Sequence, residues 1–188
     1  RRRRPRAPLD GLSGGGAAVT ERIRPLRRDD VAAVVRLALA AWEPVFRSFR
    51  EVLGPEIYAR LYPDWTASQA ADVERVCTEG KHTVWVADAD GAVAGFVAYA
   101  TNAETKIGEV YMLAVDPAHQ NRGLGTRLNA FALDRLREAG MELAQVSTGG
   151  DPGHAPARRT YEKAGYTALP SVWYFKLLHP AERRPERV

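Results

Sequence analysis

Hydrophobic spacing changes period several times along the chain, and each change predicts an element. "RIRPL" at 22–26 alternates briefly, as a short strand does, and Asp29 and Asp30 follow as candidate N-caps. Val31, Val34, Val35, Leu37, Leu39, Trp42, Val45, Phe46 and Phe49 then recur at helical spacing. Gly54-Pro55 breaks that helix, and "EIYARLY" and "ASQAADVERVC", bent at Pro63-Asp64, read as one interrupted helix or two short ones. "HTVWVADADGAVAGFVAYA" has the content of a hairpin, with Asp-Gly at its turn. "GEVYMLAVD" is apolar almost throughout, which predicts a strand covered on both faces. Leu124, Leu128, Phe131, Leu133 and Leu136 predict a helix ending at Gly140, and "ELAQVS" a strand parallel to the one before that helix. After the loop "TGGDPGHAP", a helix to Gly165 and a last strand pair, "YTAL" and "SVWYFKLL", complete the pattern. The expected class is α+β, with a mixed sheet.

Composition narrows this further. With 188 residues and 45% hydrophobic content, one domain over 22–180 is expected, flanked by tails at 1–21 and 181–188. The pI near 9.4 suggests a polyanionic partner until the charges are located. Residues 1–21 carry net +3 and 181–188 net +1, the whole of the formal +4, so the domain itself is neutral and no specific nucleic-acid partner is expected. The single cysteine, Cys77, has no internal disulfide partner and reads as a packed thiol. No apolar run reaches the ~18 residues of a membrane span, and the Arg-rich start lacks the apolar stretch of a signal peptide, so a cytoplasmic protein without a membrane partner is expected. Four histidines without paired carboxylate or cysteine spacing predict no metal site.

"QNRGLGTRL" at 120–128 raises the question of a ligand. A diphosphate needs several converging N–H donors and close backbone approach; Gly123 and Gly125 supply the approach, and the following amides open a helix. No Gly-Lys-Ser/Thr follows, and the third glycine of the dinucleotide fingerprint is absent. The alternative is a structural strand-to-helix turn. Placed after "LAVDPAH", the segment Gln120-Asn121-Arg122-Gly123-Leu124-Gly125 resembles the signature of the GNAT superfamily of N-acetyltransferases, Gln/Arg-x-x-Gly-x-Gly/Ala. The order of elements from Arg22 to Leu178 is similar to that fold, a mostly antiparallel mixed sheet with a central parallel strand pair and flanking helices.

The resemblance implies acetyl-CoA as co-substrate. Its diphosphate would lie on the amides of Gln120 to Thr126, with Leu113, Ala114 and Val115 offering backbone groups to the pantetheine arm. It also implies that the N–H of Leu113 polarises the thioester carbonyl, and that Glu109, eleven residues before Gln120, is the general base. On energetic grounds Glu109 already stands out, because a carboxylate in so apolar a run is costly unless hydrated or paired. The alternative is a solvated strand-end carboxylate. Strand alternation would put Glu109, Tyr111 and Leu113 on one face. "HAPARRTYEKAGY" is similar to the family's closing motif Asn-x-x-Ala-x-x-x-Tyr-x-x-x-Gly-Phe, matching at Ala157, Tyr161 and Gly165. Tyr161 would protonate the CoA sulfur; its alternative is a packing tyrosine. Tyr166 replaces Phe, and His154 takes the asparagine position, where an imidazole could donate to CoA in its place. Asp151 reads as a solvated loop residue and Asp116 as a helix-entry residue.

The acceptor is less legible. Trp42, Phe46, Phe49, Tyr58, Tyr62 and Trp65 make 42–65 aromatic-rich, with Glu43, Glu51 and Asp64 available to a cationic amine. Trp42, Glu43 and Phe46 are the candidate acceptor contacts. The leading expectation is an N-acetyltransferase taking a small-molecule, antibiotic or peptide amine, with homodimerisation left open. The competing ones are a GNAT-like module that binds acyl-CoA without turnover, and a nucleic-acid protein acting through its arginine head.

Overall fold

The computed structural model describes residues 21–178. The tails expected at 1–21 and 181–188 lie outside these residues except for Glu21, which opens the first strand. Five strands form one sheet in the order β1 (Glu21–Pro25), β2 (Thr83–Ala89), β3 (Ala92–Asn102), β4 (Ile107–Val115), β5 (Leu143–Val146). The first three junctions are antiparallel and β4–β5 is parallel. Helices α1 (Val31–Leu61) and α2 (Trp65–Thr78) pack on one face, and α3 (Leu124–Glu138) on the other. The fourth helix, α4 (Ala155–Lys163), touches α3, while the 3-10 turn before it, Pro152–His154, packs on α1.

Local chemistry explains the boundaries. Helix α1 runs through Pro44 and breaks at Gly54, whose φ of 73° and ψ of 162° are non-helical, before Pro55 starts the next segment. At the β2–β3 turn both Asp90 (φ 51°) and Gly91 (φ 88°) are left-handed, as a tight hairpin of the right twist requires, and the Gly91 N–H donates to Asp88 at 2.8 Å. Helix α3 ends as Gly140 suggested: the Met141 N–H reaches the Leu136 carbonyl and the Gly140 N–H that of Arg137.

The sheet separates two cores. Val97, Val110, Leu124, Leu128 and Leu136 fill the α3 side; Val34, Leu37, Val73, Val86, Phe96 and Ala114 fill the α1–α2 side. Gly108 is required between them, since a Cβ there would sit 2.5 Å from the Leu136 side chain.

Three expectations need correction. Asp30 does not cap α1: its carboxylate takes the buried Arg24 guanidinium at 2.6 and 3.0 Å and the Arg27 N–H at 2.7 Å. Arg24 also donates to Asp88 at 2.8 Å, so a charge cluster ties β1 to β2 and to the start of α1. The last strand pair is not formed: residues 166–178 are irregular, and Leu169, Val172, Trp173 and Tyr174 are exposed. Their alternation suits a strand, but strand propensity is realised only against a paired edge, and the neighbouring β5 is four residues long. Finally, β4 is not covered throughout, because Tyr111 remains 43% exposed.

Candidate active site

The site begins as a fork in the sheet. Strand β4 pairs with β3 from Ile107 to Val115, but with β5 only from Ile107 to Val110. From Tyr111 to Val115 the β5-facing edge is therefore open, leaving main-chain groups without a ladder partner there. One of them, the Val115 carbonyl, accepts from Gln120 Nε2 at 3.0 Å, which fixes the following loop to the strand end.

That loop leads its backbone into a helix start. Asn121 (φ 61°) and Gly123 (φ 81°) are both left-handed, and α3 starts at Leu124, so its first amides face the loop. Gly125 lies against the fork: a Cβ there would stand 3.7 Å from the Val115 side chain and 3.8 Å from that of Leu113. Asn121, Arg122, Gly123 and Thr126 are exposed, whereas Leu124 is buried and has only its backbone to offer. Exposed N–H donors, a positive helix end and missing side chains fit a diphosphate, and the open strand edge beside them fits an amide-bearing arm. Asp116 acts as the helix-entry residue expected of it, accepting the Ala118 N–H at 2.8 Å.

A bulge redirects β4. Met112 pairs with Ala98 and Val110 with Tyr99, leaving Tyr111 as the extra residue. Alternation flips across it, so Val110 and Leu113 both face α3, and Glu109 lies with Met112 and Ala114 on the α1 side. The expectation of Glu109, Tyr111 and Leu113 on one face is corrected by this one residue. Glu109 is half-buried, opposite Ala100 and Gln145. Tyr111 stacks on His82 with ring centroids 4.3 Å apart.

Tyr161 projects from α4, half-buried, with its ring edge-on to Tyr166 at 5.6 Å. Burial, and then the neighbouring Tyr166, push its pKa up to about 12, so the phenol stays protonated across the neutral range. The Tyr166 hydroxyl reaches the buried Asn129 of α3 at 3.5 Å. Asn129 was not singled out in the sequence, where nothing local ties it to position 166.

His154 is held from its Nδ1 side. Asp151 receives that nitrogen at 2.5 Å and the Gly153 N–H at 2.9 Å, and the Ser48 hydroxyl donates to it. Burial opposes the charge on Asp151, but these donors outweigh it and hold the carboxyl below its usual range. Arg158 clamps the same loop through the carbonyls of Gly149 and Asp151 at 2.6 and 2.7 Å. Asp151 is thus a buried hub and not the solvated loop residue expected. Sequence spacing gave no sign of Ser48, which lies 105 residues earlier than Gly153, the residue whose N–H it accepts at 3.0 Å.

The aromatic stretch packs largely against itself. Phe46 is buried, stacked on Trp65 at 4.2 Å and edge-on to Phe49 and Tyr62, so it shapes the wall from within. Trp42 is half-buried with its edge on Phe96, and Glu43 is exposed and paired with Arg47 at 3.3 Å. Cys77 is partly buried, and burial pushes its thiol up to about 11, as suits a packed side chain. Among the described residues no group of three or more His, Cys, Asp or Glu side chains could hold a metal ion, and no helix is long and apolar enough to cross a membrane.

The parallel β4–β5 pair ends at Val110, and the loop with left-handed Asn121 and Gly123 leads into α3 beside the edge left open. The family model for acetyltransferases of the GNAT type matches residues 42–166, and the chain belongs to that family. It is 32% identical over 168 residues to a mycothiol acetyltransferase of Tsukamurella paurometabola, covering 88% of this chain and 54% of that protein. The chain spans about half the length, or less, of the curated relatives it matches. Among solved structures, a Desulfovibrio desulfuricans protein assigned to the GNAT family superposes with a TM-score of 0.62 at 25% identity, over 81% of this chain and 87% of that one. The Thermoplasma acidophilum PaiA N-acetyltransferase, solved in complex with coenzyme A, gives the same TM-score at 17% identity, over 81% and 93%, and shows the shared fold.

Proposed function

We propose that the chain is an acetyl-CoA-dependent N-acetyltransferase that transfers acetyl to a primary amine by direct attack within a ternary complex. The observation that carries this reading is the fork: β4 loses β5 beyond Val110, and Gly125, which follows the left-handed Asn121 and Gly123, approaches Leu113 and Val115 beside the edge left open. The amides from Gln120 to Thr126 hold the donor's diphosphate, and the backbone of Leu113, Ala114 and Val115 holds its arm. Acetyl-CoA, when bound, supplies the activated thioester.

The chain's own groups then move protons and stabilise charge. The Leu113 N–H is the single donor to the thioester oxygen, a position typically worth a few kcal/mol in such sites. Glu109 takes a proton from the attacking nitrogen through a water, and Tyr161 donates to the departing sulfur. A phenol pushed up to about 12 is a weaker acid than a thiol near ~8.5, so Tyr161 acts as a hydrogen-bond donor whose proton moves only as charge builds on sulfur. Trp42 and Glu43 line the acceptor approach, with Phe46 behind them. The relative named for mycothiol supports a small amine as acceptor. One unpaired cysteine suits a cytoplasmic setting. The exposed run from Val172 to Phe175 supports a homodimer.

The test is release of free thiol from acetyl-CoA across polyamines, aminoglycosides, amino acids, peptides and desacetyl-mycothiol. At least one amine should raise release well above the blank. Tight acetyl-CoA binding with no amine-dependent release would favour a binding module instead.

A further inference from the structure

His154 is held against the aromatic stretch of α1 by a carboxylate, the arrangement of an oriented base. Its ring lies 5.5 Å from Phe49, which stacks at 5.4 Å on Tyr62, so the imidazole closes the α1 aromatic wall from the α4 side. Both oxygens of Asp151 are engaged, one by His154 Nδ1 and the other by the Gly153 N–H. A carboxylate in this arrangement only accepts, so Nδ1 carries the hydrogen, and in the neutral ring Nε2 then carries the lone pair. The pair is seated tightly: the Asp151 side chain is 9% exposed and that of His154 22%, and a Cβ at Gly149 would collide with both. His154 ends the 3-10 turn that leads into α4, the helix that carries Tyr161.

We infer that His154, oriented by Asp151, is a catalytic base of the acceptor site and takes the first proton from the incoming ammonium. This rests on the amine-acetyltransferase reading above. Per turnover the nitrogen loses two protons. The first breaks an N–H bond and forms Nε2–H, and the imidazolium then releases it to solvent. The second leaves as the C–N bond forms and the C–S bond breaks; Glu109 receives it through water, Tyr161 gives one to sulfur, and water exchange resets that pair. The balance is ammonium plus thioester going to amide, thiol and one proton. Titratable or charged groups meeting His154 and its wall are Asp151, Arg158 on the Asp151 carbonyl, and Tyr62, whose phenol burial keeps neutral.

The experiment compares log kcat/KM against pH for wild type, His154→Gln and Glu109→Gln, using the best amine from the thiol-release panel. An ionisation that limits the rate on the acid side is expected in wild type and Glu109→Gln and absent in His154→Gln. His154→Gln should also lose about a hundredfold in kcat/KM at neutral pH. If His154→Gln fails to fold, His154→Asn, the family's residue at this position, takes its place with the same expected loss. Retention of the ionisation in the folded variant, or its disappearance in Glu109→Gln alone, overturns the assignment. Wild-type activity toward the amine is read separately, so failure of the base leaves the transferase reading standing.

Discussion

At the residue scale the proposed transfer depends on two groups with different duties. Tyr161→Phe removes a hydrogen-bond donor to the leaving sulfur without emptying its space beside Tyr166, so turnover should fall by about ten- to a hundredfold while acetyl-CoA affinity is spared. Steady-state kinetics with calorimetric titration of acetyl-CoA separates the two; loss of affinity with unchanged turnover would assign Tyr161 to packing. Gly123 is the complementary case. Its φ of 81° is unfavourable for any other residue, and nothing lies within 4 Å of a Cβ built there, so the penalty of Gly123→Ala is conformational and not steric. At about 1–3 kcal/mol for such strain, acetyl-CoA should bind roughly fivefold to a hundredfold more weakly. Calorimetry on that variant, with Tm as a fold control, checks it.

At the scale of elements, the parallel strand pair is anchored by glycine. Gly108→Ala would drive a methyl group into Leu136 at 2.5 Å, and overpacking of this kind typically costs about 1–3 kcal/mol, read as a lower Tm. The elements with strong periodicity were legible in the sequence, including α3 with its glycine stop and the Asp90-Gly91 hairpin, because local backbone chemistry decides them. The loop 120–125 was legible for the same reason. What escaped depends on distant partners. Nothing local in "EVYMLAV" marks Tyr111 as a bulge; that follows from its register against Ala98 and Tyr99, and with it goes the face on which Leu113 lies. Asp30 looked like a cap because its buried partner Arg24 is set in place by a second bond to Asp88, 64 residues further along the chain. "SVWYFKLL" carries a strand's alternation and forms none, since pairing is a property of two segments.

Across the whole molecule, buried charge sets the pH response. Paired with Arg24 at 7% side-chain exposure, Asp30 and Asp88 have their carboxyls lowered below the usual range, and Asp151 is lowered by its donors. Folded-state values below unfolded ones give stability that is complete above about pH 4 and lost as pH falls through the lowered values. Tyr161 acts at the other end: raised to about 12, its contribution is complete below about pH 10 and lost as pH climbs toward that value. Thermal melts across pH should decline at both ends, and Arg24→Met should lose most of the acid-side dependence due to Asp30 and Asp88. Exposure of Trp173 (79%) and Tyr174 (91%) belongs to this scale as well. If a second copy covers them, sedimentation should show a dimer that Trp173→Ser with Tyr174→Ser converts to monomer; a wild-type monomer at all concentrations contradicts that assembly.

The central claim is that this chain moves an acetyl group from the donor seated at the fork onto an amine. Its most direct test is to incubate the full chain with acetyl-CoA labelled in the acetyl group and the best amine, then follow the label by mass spectrometry together with free thiol. Label on the amine in one-to-one proportion with thiol, dependent on both substrates and reduced in Gly123→Ala, is the result expected. Label that stays on CoA, or that leaves only as free acetate whatever amine is present, would contradict it.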